Sequence, residues 1–474
     1  MWGRLEACGG LEGRPLSAPD AIIICMPGSK SIIRLASYFL FVSATAAAQT
    51  AALDVPALEA SVTAELAATE TPGAAIGIVR DSRLVYAKGF GTSNVETGAP
   101  ITPETLFRLG STTKMLTAAA VATFVAEGKL DFQDPVGNYI HGIDPAIAAL
   151  TVNQILCHTA GLKDEAIMNG RHDDAALGAE IRAWKSDWLF TKPGVIFSYA
   201  NPGYWLAGYL AETLAGKPYA DVIEDRVFGP VGMVSSTLRP LMAMTRPLAQ
   251  GHDLVSGKPA VLRPAPDNAA NWPAGSVFSN LNDLSRFTIA MMNGGKLDGK
   301  QVLSPKVVTA LTTPHARAPG WETPYGYGLN VQETGGRVWT HGGARAGYGS
   351  FIAMLPDSRA AVIVLSNRSG ESLEKTHVKT MQMLGAPPLE NHDDMPDTAI
   401  PPSEFARYIG SYRNGDNVRK IEERDGKLFL DSKELRKGPG GWLVTKTGRT
   451  FAVPGADGKI EYLYEGGRAA IRVT

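Results

Sequence analysis

The sequence predicts an α+β protein: an antiparallel sheet flanked by helices with a helical subdomain, followed by a small all-β, barrel-like domain. Three observations predict this fold class. Strand-like runs stand at both ends of residues 53–385, with helical segments between them. A proline-rich stretch at residues 386–402 changes the composition of the chain. Beyond it, short strand-like runs broken by Gly and Asp fill residues 403–474.

The first domain begins with a predicted hairpin over residues 77–91, whose two apolar runs meet at the turn residues Asp81 and Ser82. Residues 114–127 are rich in Ala and predict a helix that ends at Gly128. Toward the end of the domain, three apolar runs separated by polar turns predict consecutive strands: 337–339, 351–355 and 360–365. Strands at both ends therefore build one sheet from the two termini of the domain.

The stretch 386–402 predicts a stiff polar linker, because it combines five prolines with Asp393 and Asp394. The domain after it is predicted to hold at least four strands, which are 408–412, 418–423, 427–431 and 442–446. Its density of β-branched and aromatic residues favours a folded barrel-type domain over a mobile tail.

Residues 1–48 predict an N-terminal extension and a cleaved signal peptide whose start is Met26. The pattern is a charged region, a short apolar run and a small-residue cleavage site, given by Lys30 and Arg34, 35–42, and 46–48. The apolar run is too short for a stable membrane anchor. The protein is therefore expected to be secreted or periplasmic.

Composition limits the partners. The 474 residues carry a formal net charge of −1, without long basic runs. This balance gives no electrostatic argument for nucleic acid or an anionic membrane surface, so a small-molecule or peptide substrate is expected. Cys157 is the one cysteine after the predicted cleavage site, and no Cys or His pair has zinc-ligand spacing. We therefore expect no metal and no cofactor.

A Ser-x-x-Lys segment on a helix places an amine on the same face as a hydroxyl, so the lysine can take the proton of a serine nucleophile. Burial makes this easier, because it lowers the pKa of the lysine. The segment occurs twice, and each copy is followed by a Tyr-x-Asn and by a third candidate motif. The two ordered sets are Ser111/Lys114, Tyr199/Asn201 and His341-Gly342-Gly343, and Ser372/Lys375, Tyr412/Asn414 and Lys446-Thr447-Gly448.

Context favours the earlier set. Ser111 follows Gly110 at the start of the Ala-rich helix, where the helix dipole favours negative charge. The helix behind Lys114 is almost wholly apolar, so burying a lysine at its start costs desolvation free energy. A functional role would explain why a lysine is present there. In the later set, Ser372 is in a polar segment and Lys446 is in a predicted hairpin turn. We interpret the later matches as structural.

Four segments resemble the class C β-lactamase and penicillin-binding-protein-related family, which includes D-aminopeptidases, D-Ala carboxypeptidases and family VIII esterases. They occur in the family's order and are 107–114, 156–162, 197–204 and 340–348. The resemblance covers roughly residues 55–370 and implies a β-lactamase/transpeptidase-like fold. It also implies an appended, lipocalin-like β-barrel domain, such as some D-amino-peptide hydrolases carry.

The resemblance implies a role for each matching residue. Ser111 attacks a carbonyl, and Lys114 and Tyr199 share the proton transfer. Asn201 binds the substrate amide and Lys114. The backbone N–H groups of Ser111 and Ala344 form the oxyanion hole.

Three neighbours on the third motif are expected to bind substrate. Gly343, together with Gly342, lets the substrate backbone approach the strand closely. His341 stands where many β-lactam-processing relatives carry a lysine, and a neutral histidine supplies less charge for a substrate carboxylate, although Arg345 could compensate. We therefore expect a serine hydrolase that acts on an ester or a D-amino-acid-containing peptide. The alternatives are a class C-like β-lactamase and a catalytically inactive peptidoglycan-binding protein.

Overall fold

The computed structural model describes residues 53–165, 167–389 and 396–473. The predicted signal peptide, its start at Met26 and its cleavage site lie outside the described residues, as do Asp393 and Asp394 of the predicted linker. Within the described ranges, no helix has the length and apolar character needed to cross a bilayer.

Fifteen strands occur between residues 53 and 389, counted over the described part of the chain. In chain order they are β1 Gly73–Arg80, β2 Arg83–Asn94, β3 Ala99–Pro100, β4 Phe107–Arg108, β5 His252–Val255, β6 Lys258–Val261, β7 Phe278–Ser279, β8 Lys296–Leu297, β9 Lys300–Gln301, β10 Ala316–Arg317, β11 Pro324–Tyr325, β12 Asn330–Gln332, β13 Val338–Arg345, β14 Tyr348–Leu355 and β15 Ala360–Ser366. Nine of them form one antiparallel sheet in the order β10-β11-β12-β13-β14-β15-β1-β2-β3. The first and last strands of the region thus meet, as the sequence predicted.

The β1–β2 hairpin turns at Asp81 and Ser82, whose φ angles are 49° and 61°. Positive φ at both central residues is the type I′ geometry, which matches the twist of the paired strands. Every residue of β1 except Arg80 is buried. The predicted hairpin is therefore present, with β1 inside the sheet between β15 and β2.

Both faces of this sheet are covered by helices. The described part of the chain contains fourteen α-helices, of which the last packs in the barrel. In chain order they are α1 Val55–Ala68, α2 Thr113–Ala126, α3 Pro145–Ala148, α4 Val152–Leu156, α5 Ala176–Ala183, α6 Asn201–Ala215, α7 Tyr219–Ile223, α8 Gly229–Val231, α9 Pro240–Ala243, α10 Trp272–Gly275, α11 Leu281–Met292, α12 Pro305–Thr312, α13 Glu374–Met383 and α14 Phe405–Tyr408. One face packs on α1 and α13, and the other packs on α2, α11 and the remaining helices of the large core. The predicted Ala-rich helix is α2, and eleven of its fourteen residues are buried.

A second antiparallel sheet follows the linker. Its strands are β16 Gly410–Asn414, β17 Asn417–Arg424, β18 Lys427–Leu430, β19 Lys433–Glu434, β20 Arg436–Lys437, β21 Trp442–Thr445, β22 Gly448–Pro454, β23 Ile460–Glu465 and β24 Arg468–Arg472. Their order is β19-β18-β17-β16-β24-β23-β22-β21-β20, so the two edge strands are joined through Leu435 alone. This connection curls the sheet into a nearly closed barrel, and the predicted α+β fold class with a barrel-like end is confirmed. The strand predicted at 408–412 begins instead at Gly410, because residues up to Tyr408 complete the short helix α14.

The barrel packs directly on the first sheet region. An apolar cluster joins them, and it consists of Ile196, Phe197, Tyr325, Tyr462, Tyr464 and Ala469. The described residues accordingly belong to one compact unit. The turn between β23 and β24 enters the same neighbourhood, because the backbone N–H of Tyr199 donates to Gly467 O over 2.8 Å.

Candidate active site

Ser111 lies in a 3₁₀ turn, Gly110–Thr112, that leads directly into α2. The φ of Gly110 is +56°, a left-handed conformation that favours glycine. A Cβ on Gly110 would also lie 2.8 Å from the backbone nitrogen of Ala344 on β13. Glycine at this position therefore allows the serine turn and the third-motif strand to approach each other closely.

Lys114 is completely buried one helical turn after Ser111. Its Nζ lies 3.2 Å from Ser111 Oγ, 2.7 Å from Asn201 Oδ1 and 2.8 Å from Ala274 O. Burial lowers the pKa of Lys114 to about 7, with Asp164 opposing this shift and Arg468 adding to it. At neutral pH a large fraction of the amine is therefore uncharged and able to accept the serine proton.

Tyr199 approaches the same lysine through its ring face, whose centroid is 4.8 Å from Lys114 Nζ. Its hydroxyl is buried and makes no hydrogen bond of good geometry to the described residues. Burial raises the pKa of Tyr199 above its ordinary value, although the nearby Ser111 side chain and Arg468 oppose the rise. The phenol is thus protonated at neutral pH and available as a proton donor. The sequence alone leaves open which of Tyr199 and Lys114 accepts the serine proton and which donates to the leaving group.

Three buried side chains form a neutral hydrogen-bonded row beside Tyr199. His158 Nδ1 accepts from Ala200 N, and its Nε2 lies 3.3 Å from the hydroxyl of Tyr325. That hydroxyl lies 3.1 Å from Nε2 of His341, whose Nδ1 lies 2.6 Å from Gly342 O. One tautomer of each histidine satisfies the whole row without charge: Nε2–H on His158 and Nδ1–H on His341.

His341 is therefore neutral. Burial and the neighbouring Lys114 lower its pKa to about 3. The predicted lack of positive charge at this position follows from its surroundings as well as from its residue type. His158 serves as a structural hydrogen-bonding residue, and Tyr325 is a member of the row that sequence reasoning missed.

The third-motif strand has an open edge. Strand β12 pairs with β13 only as far as Thr340, so the following residues have β14 as their partner on one side within the described chain. Gly342 is exposed there, and a Cβ on it would meet nothing within 4 Å. Ala344 lines a cavity of about 570 Å³ together with Ser111 and Asn201. This geometry suits a substrate backbone laid along the strand edge.

Gly343 points away from that edge. A Cβ on Gly343 would lie 2.0 Å from Leu109 O and 2.2 Å from Ser350 Oγ. The absence of a side chain is thus required by packing behind the strand. Of the two glycines that the sequence interpretation gave this role, Gly342 is the one on which a Cβ would meet nothing at the open edge.

Arg345 does not supply the free positive charge that the sequence suggested. It is buried, and its guanidinium donates to Ser276 Oγ, Gly275 O and Pro266 O. One of its nitrogens lies 3.8 Å from Asp267. Although Arg345 borders the Ser111 cavity, its two terminal nitrogens donate to groups of the protein itself, and its Nε is buried without a hydrogen bond to the described residues.

An ion pair that sequence reasoning missed supports Asn201. Asp164 accepts from the backbone nitrogen of Asn201 over 2.7 Å and from its side-chain Nδ2 over 2.9 Å. Asn201 is the first residue of α6, so its backbone N–H has no partner within the helix, and the Asp164 carboxylate supplies one. Its other oxygen pairs with Arg468 of β24, whose guanidinium lies 5.3 Å from the Tyr199 ring centroid. A residue of the barrel therefore holds the network that orients Asn201 Oδ1 toward Lys114.

The later set of motif matches has structural roles. Tyr412 is fully buried in β16, where its hydroxyl donates to Tyr408 O and accepts from Arg472. Lys446 is exposed in the turn between β21 and β22, as predicted. Ser372 precedes α13, and its carbonyl oxygen lies 3.2 Å from His377 Nδ1. These positions support the choice of the earlier set.

A serine on a helix start, beside a buried lysine and an unbonded phenol, defines a site of the serine hydrolase class. Comparison with known families agrees: the Beta-lactamase family model matches residues 58–381. The match covers more than half of the chain, and the chain belongs to the Beta-lactamase family.

Several curated proteins are similar to this chain. The unguisins hydrolase ungD' of Aspergillus campestris is 28% identical over 64% of this chain and 59% of its own length. Penicillin-binding protein 4 of Amycolatopsis lactamdurans is 27% identical over 62% of this chain and 81% of its own. The D-aminopeptidase of Gluconobacter oxydans is 26% identical over 74% and 66%, respectively. The chain thus spans less than two thirds of the length of the first of these relatives.

Solved structures extend the likeness beyond the matched family region. The crystal structure of SurE has a TM-score of 0.74 and 27% identity, covering 88% of this chain and 99% of SurE. SurE with D-Leu has a TM-score of 0.70 at 25% identity, over 88% and 99%. The octameric penicillin-binding protein homologue from Pyrococcus abyssi has a TM-score of 0.63 at 25% identity, over 88% and 95%.

Proposed function

We propose that the protein hydrolyses an ester or a D-amino-acid-containing peptide or amide through an acyl-enzyme on Ser111. The observation that carries the proposal is the buried, half-neutral amine of Lys114, 3.2 Å from Ser111 Oγ. Its substrate would be a small molecule or peptide, including fragments derived from the cell wall, met in the periplasm or outside the cell. We propose that the reaction uses neither metal nor cofactor.

In acylation, Ser111 Oγ attacks the carbonyl carbon while Lys114 Nζ takes the hydroxyl proton. The carbonyl oxygen becomes an oxyanion, which the N–H groups of Ser111 and Ala344 stabilise. Tyr199 donates its proton to the leaving oxygen or nitrogen as that bond breaks, and the Lys114 ammonium returns a proton to the phenolate. An ester of Ser111 and a free alcohol or amine result.

In deacylation, a water molecule attacks the Ser111 ester. The water's proton passes to the neutral amine of Lys114, and the second tetrahedral intermediate uses the same two N–H groups. The Lys114 ammonium then returns this proton to Ser111 Oγ, which leaves as the alcohol and releases the carboxylic acid. Asn201 holds both Lys114 and the substrate amide during these steps.

The electrostatics favour an ester or peptide substrate over a β-lactam. A β-lactam substrate carries a carboxylate, and the neutral His341 gives it no positive charge. Arg345 is directed to protein oxygens, so it does not replace that charge. The relatives described as a D-aminopeptidase and the SurE complex with D-Leu add support for a D-amino acid at the site. A class C-like β-lactamase remains the first alternative, and nitrocefin turnover would distinguish it.

A catalytically inactive peptidoglycan-binding protein is the alternative from another class. Such a protein would gain nothing from a buried lysine beside the serine, because the desolvation of that amine costs stability without improving binding. The complete set of Ser111, Lys114, Tyr199 and Asn201 therefore supports an enzyme.

The decisive experiment is intact-mass spectrometry after reaction with a fluorophosphonate. We expect the wild-type protein to gain one phosphonyl group and Ser111→Ala to gain none. Ser372→Ala is the matched control, because it removes the serine of the second Ser-x-x-Lys segment, and it should label like the wild type. Labelling that survives Ser111→Ala would overturn the proposal. A panel of p-nitrophenyl esters, D-Ala-D-Ala peptides and nitrocefin then identifies the substrate class.

The pH dependence of the reaction should report Lys114. Only its neutral form accepts the serine proton, so kcat/KM for an uncharged ester should rise with pH through a midpoint near the lysine pKa of about 7. The measurement is a pH–rate profile on an ester without titratable groups, with melting curves at each pH to exclude unfolding. A rate that stays constant from pH 5 to pH 9 would contradict the role of Lys114 as base.

A further inference from the structure

Tyr199 lines a second cavity, which Ser111 does not border. It has a volume of about 520 Å³, within the usual range for small-molecule sites, and both the first sheet region and the barrel line it. Six aromatic rings contribute to its wall, those of Phe197, Tyr199, Trp321, Tyr325, Trp442 and Tyr464.

The rings are arranged to receive another ring. Trp321 and Trp442 meet edge to face, with centroids 6.1 Å apart at 83°. Arg449 is the cation at this wall, and its guanidinium lies 5.7 Å and 5.9 Å from these two indole centroids. A planar aromatic guest would gain the same kind of offset or edge-to-face contact with the rings of this wall.

A buried hydroxyl also borders the cavity. Tyr464 is 1% exposed, and its oxygen has no hydrogen-bond partner within the described residues. An unpaired buried hydroxyl costs free energy unless a ligand supplies the partner. Burial raises the pKa of Tyr464, so the group is a protonated donor that suits an acceptor atom on the guest.

The positions of the catalytic groups assign the two cavities to the two halves of a substrate. Ser111, Asn201 and Ala344 border the first cavity, which therefore faces the carbonyl and the acyl group. Tyr199 borders the aromatic cavity instead, and it is the proposed proton donor to the leaving atom. A leaving group protonated by Tyr199 consequently departs into the aromatic cavity.

The geometry points to an aromatic leaving-group subsite: the preferred substrates are esters or amides whose alcohol or amine half carries one or two aromatic rings. This inference rests on the proposed acyl-enzyme reaction and adds the class of leaving group to it. Apart from the stacked Arg449, the cavity wall offers neutral donors, so an uncharged aromatic group fits better than an anionic one.

The test compares benzyl acetate and 2-naphthylmethyl acetate with ethyl acetate. The alcohols released from the two aromatic esters have nearly equal acidity. A difference in kcat/KM between these two esters therefore reports the fit of the leaving group. We expect kcat/KM to exceed that of ethyl acetate by about 10-fold or more for each aromatic ester, as discrimination by apolar pockets commonly allows. Methyl esters of acetic, phenylacetic and 2-naphthylacetic acid provide an acyl-group series that should show no comparable aromatic preference.

Two substitutions alter the cavity from opposite directions. Ala318→Trp fills it and Trp442→Ala opens it, and each should lower the ratio of naphthylmethyl to ethyl ester kcat/KM by about 10-fold. Leu241→Trp adds the same indole at a 76% exposed position and should leave the ratio unchanged. Ala346→Trp narrows the Ser111 cavity and should change acyl-group preference instead.

The outcomes separate this inference from the proposed function. If Ser111 labels with fluorophosphonate and esters are hydrolysed, but Ala318→Trp leaves the leaving-group ratio unchanged, the subsite assignment is wrong and the function stands. A change in acyl-group preference in Ala318→Trp would reverse the assignment of the two cavities. Absence of both labelling and ester turnover in the wild type would refute the proposed function itself. Because Ala318→Trp retains Trp442, it keeps the test valid if Trp442→Ala does not fold.

Discussion

Replacing Lys114 with methionine is expected to lower kcat/KM for an ester by about 10⁴-fold at pH 8, the upper range for loss of a positioned base. Methionine nearly matches the lysine side chain in length, so α2 keeps its packing. The substitution removes the amine 3.2 Å from Ser111 Oγ and the donor to Asn201 Oδ1. Steady-state kinetics on p-nitrophenyl esters give the loss, and a slower rate of fluorophosphonate labelling at Ser111 gives its cause.

The control is Lys375→Met, which removes the lysine of the second Ser-x-x-Lys segment. Lys375 is exposed on α13, whereas Lys114 is completely buried, and we expect this variant to retain wild-type kinetics. Melting curves should show both variants folded, since loss of the buried amine leaves two acceptors unpaired but also removes a desolvation cost. Activity within about 10-fold of wild type in Lys114→Met would exclude the lysine as the base.

The sequence was sufficient where the determining signals are local. Asp81 and Ser82 specify their turn by their own conformational preferences, and α2 follows from a run of apolar helix formers. Ser111 and Lys114 share a helix face by spacing alone, so their contact could be predicted. The strands of the third motif were predictable because apolar runs and polar turns alternate there.

Contacts between distant segments could not be predicted in the same way. Asp164 is two residues after a recognisable motif but has no sequence signal of its own, and its partner Arg468 is in the barrel. Tyr325 joins His158 to His341 through strand pairing that no local pattern encodes. Arg345 was misjudged for a related reason: its acceptors come from segments near residues 266 and 275, remote along the chain.

We expect substitutions of Asp164 and Arg468 to shift the pKa of Lys114 in opposite directions. The negative charge of Asp164 raises the pKa of Lys114, and the positive charge of Arg468 lowers it. In Asp164→Asn, the ammonium loses its stabilising neighbour, so the neutral amine persists to lower pH and the acid limb of the rate profile shifts down. In Arg468→Gln, a repelling charge is lost, the pKa of Lys114 rises and the acid limb shifts up. Arg436→Gln removes an arginine of similar exposure that pairs with Asp397, and it should leave the acid limb at its wild-type position.

Asp164 also positions a catalytic partner, and this second effect has a different signature. Asparagine cannot accept from both Asn201 donors and Arg468 as the carboxylate does, so Asn201 Oδ1 should lose its fixed orientation toward Lys114. Misplacement of this kind commonly costs about 10²-fold in kcat, measured on the pH plateau where Lys114 is neutral in every variant.

The double variant Asp164→Asn/Arg468→Gln separates charge from position. Removing both charges should return the acid limb toward its wild-type midpoint, because the two effects on the Lys114 pKa oppose each other. The plateau kcat should stay about 10²-fold low, because the orientation of Asn201 is still lost. If plateau and midpoint recover together, Asp164 acts through charge alone, and the barrel contributes to catalysis only by tuning the lysine pKa. A low plateau with a restored midpoint makes Asp164 a positioning residue, and a plateau that is also low in Arg468→Gln alone makes the barrel's arginine part of the same framework.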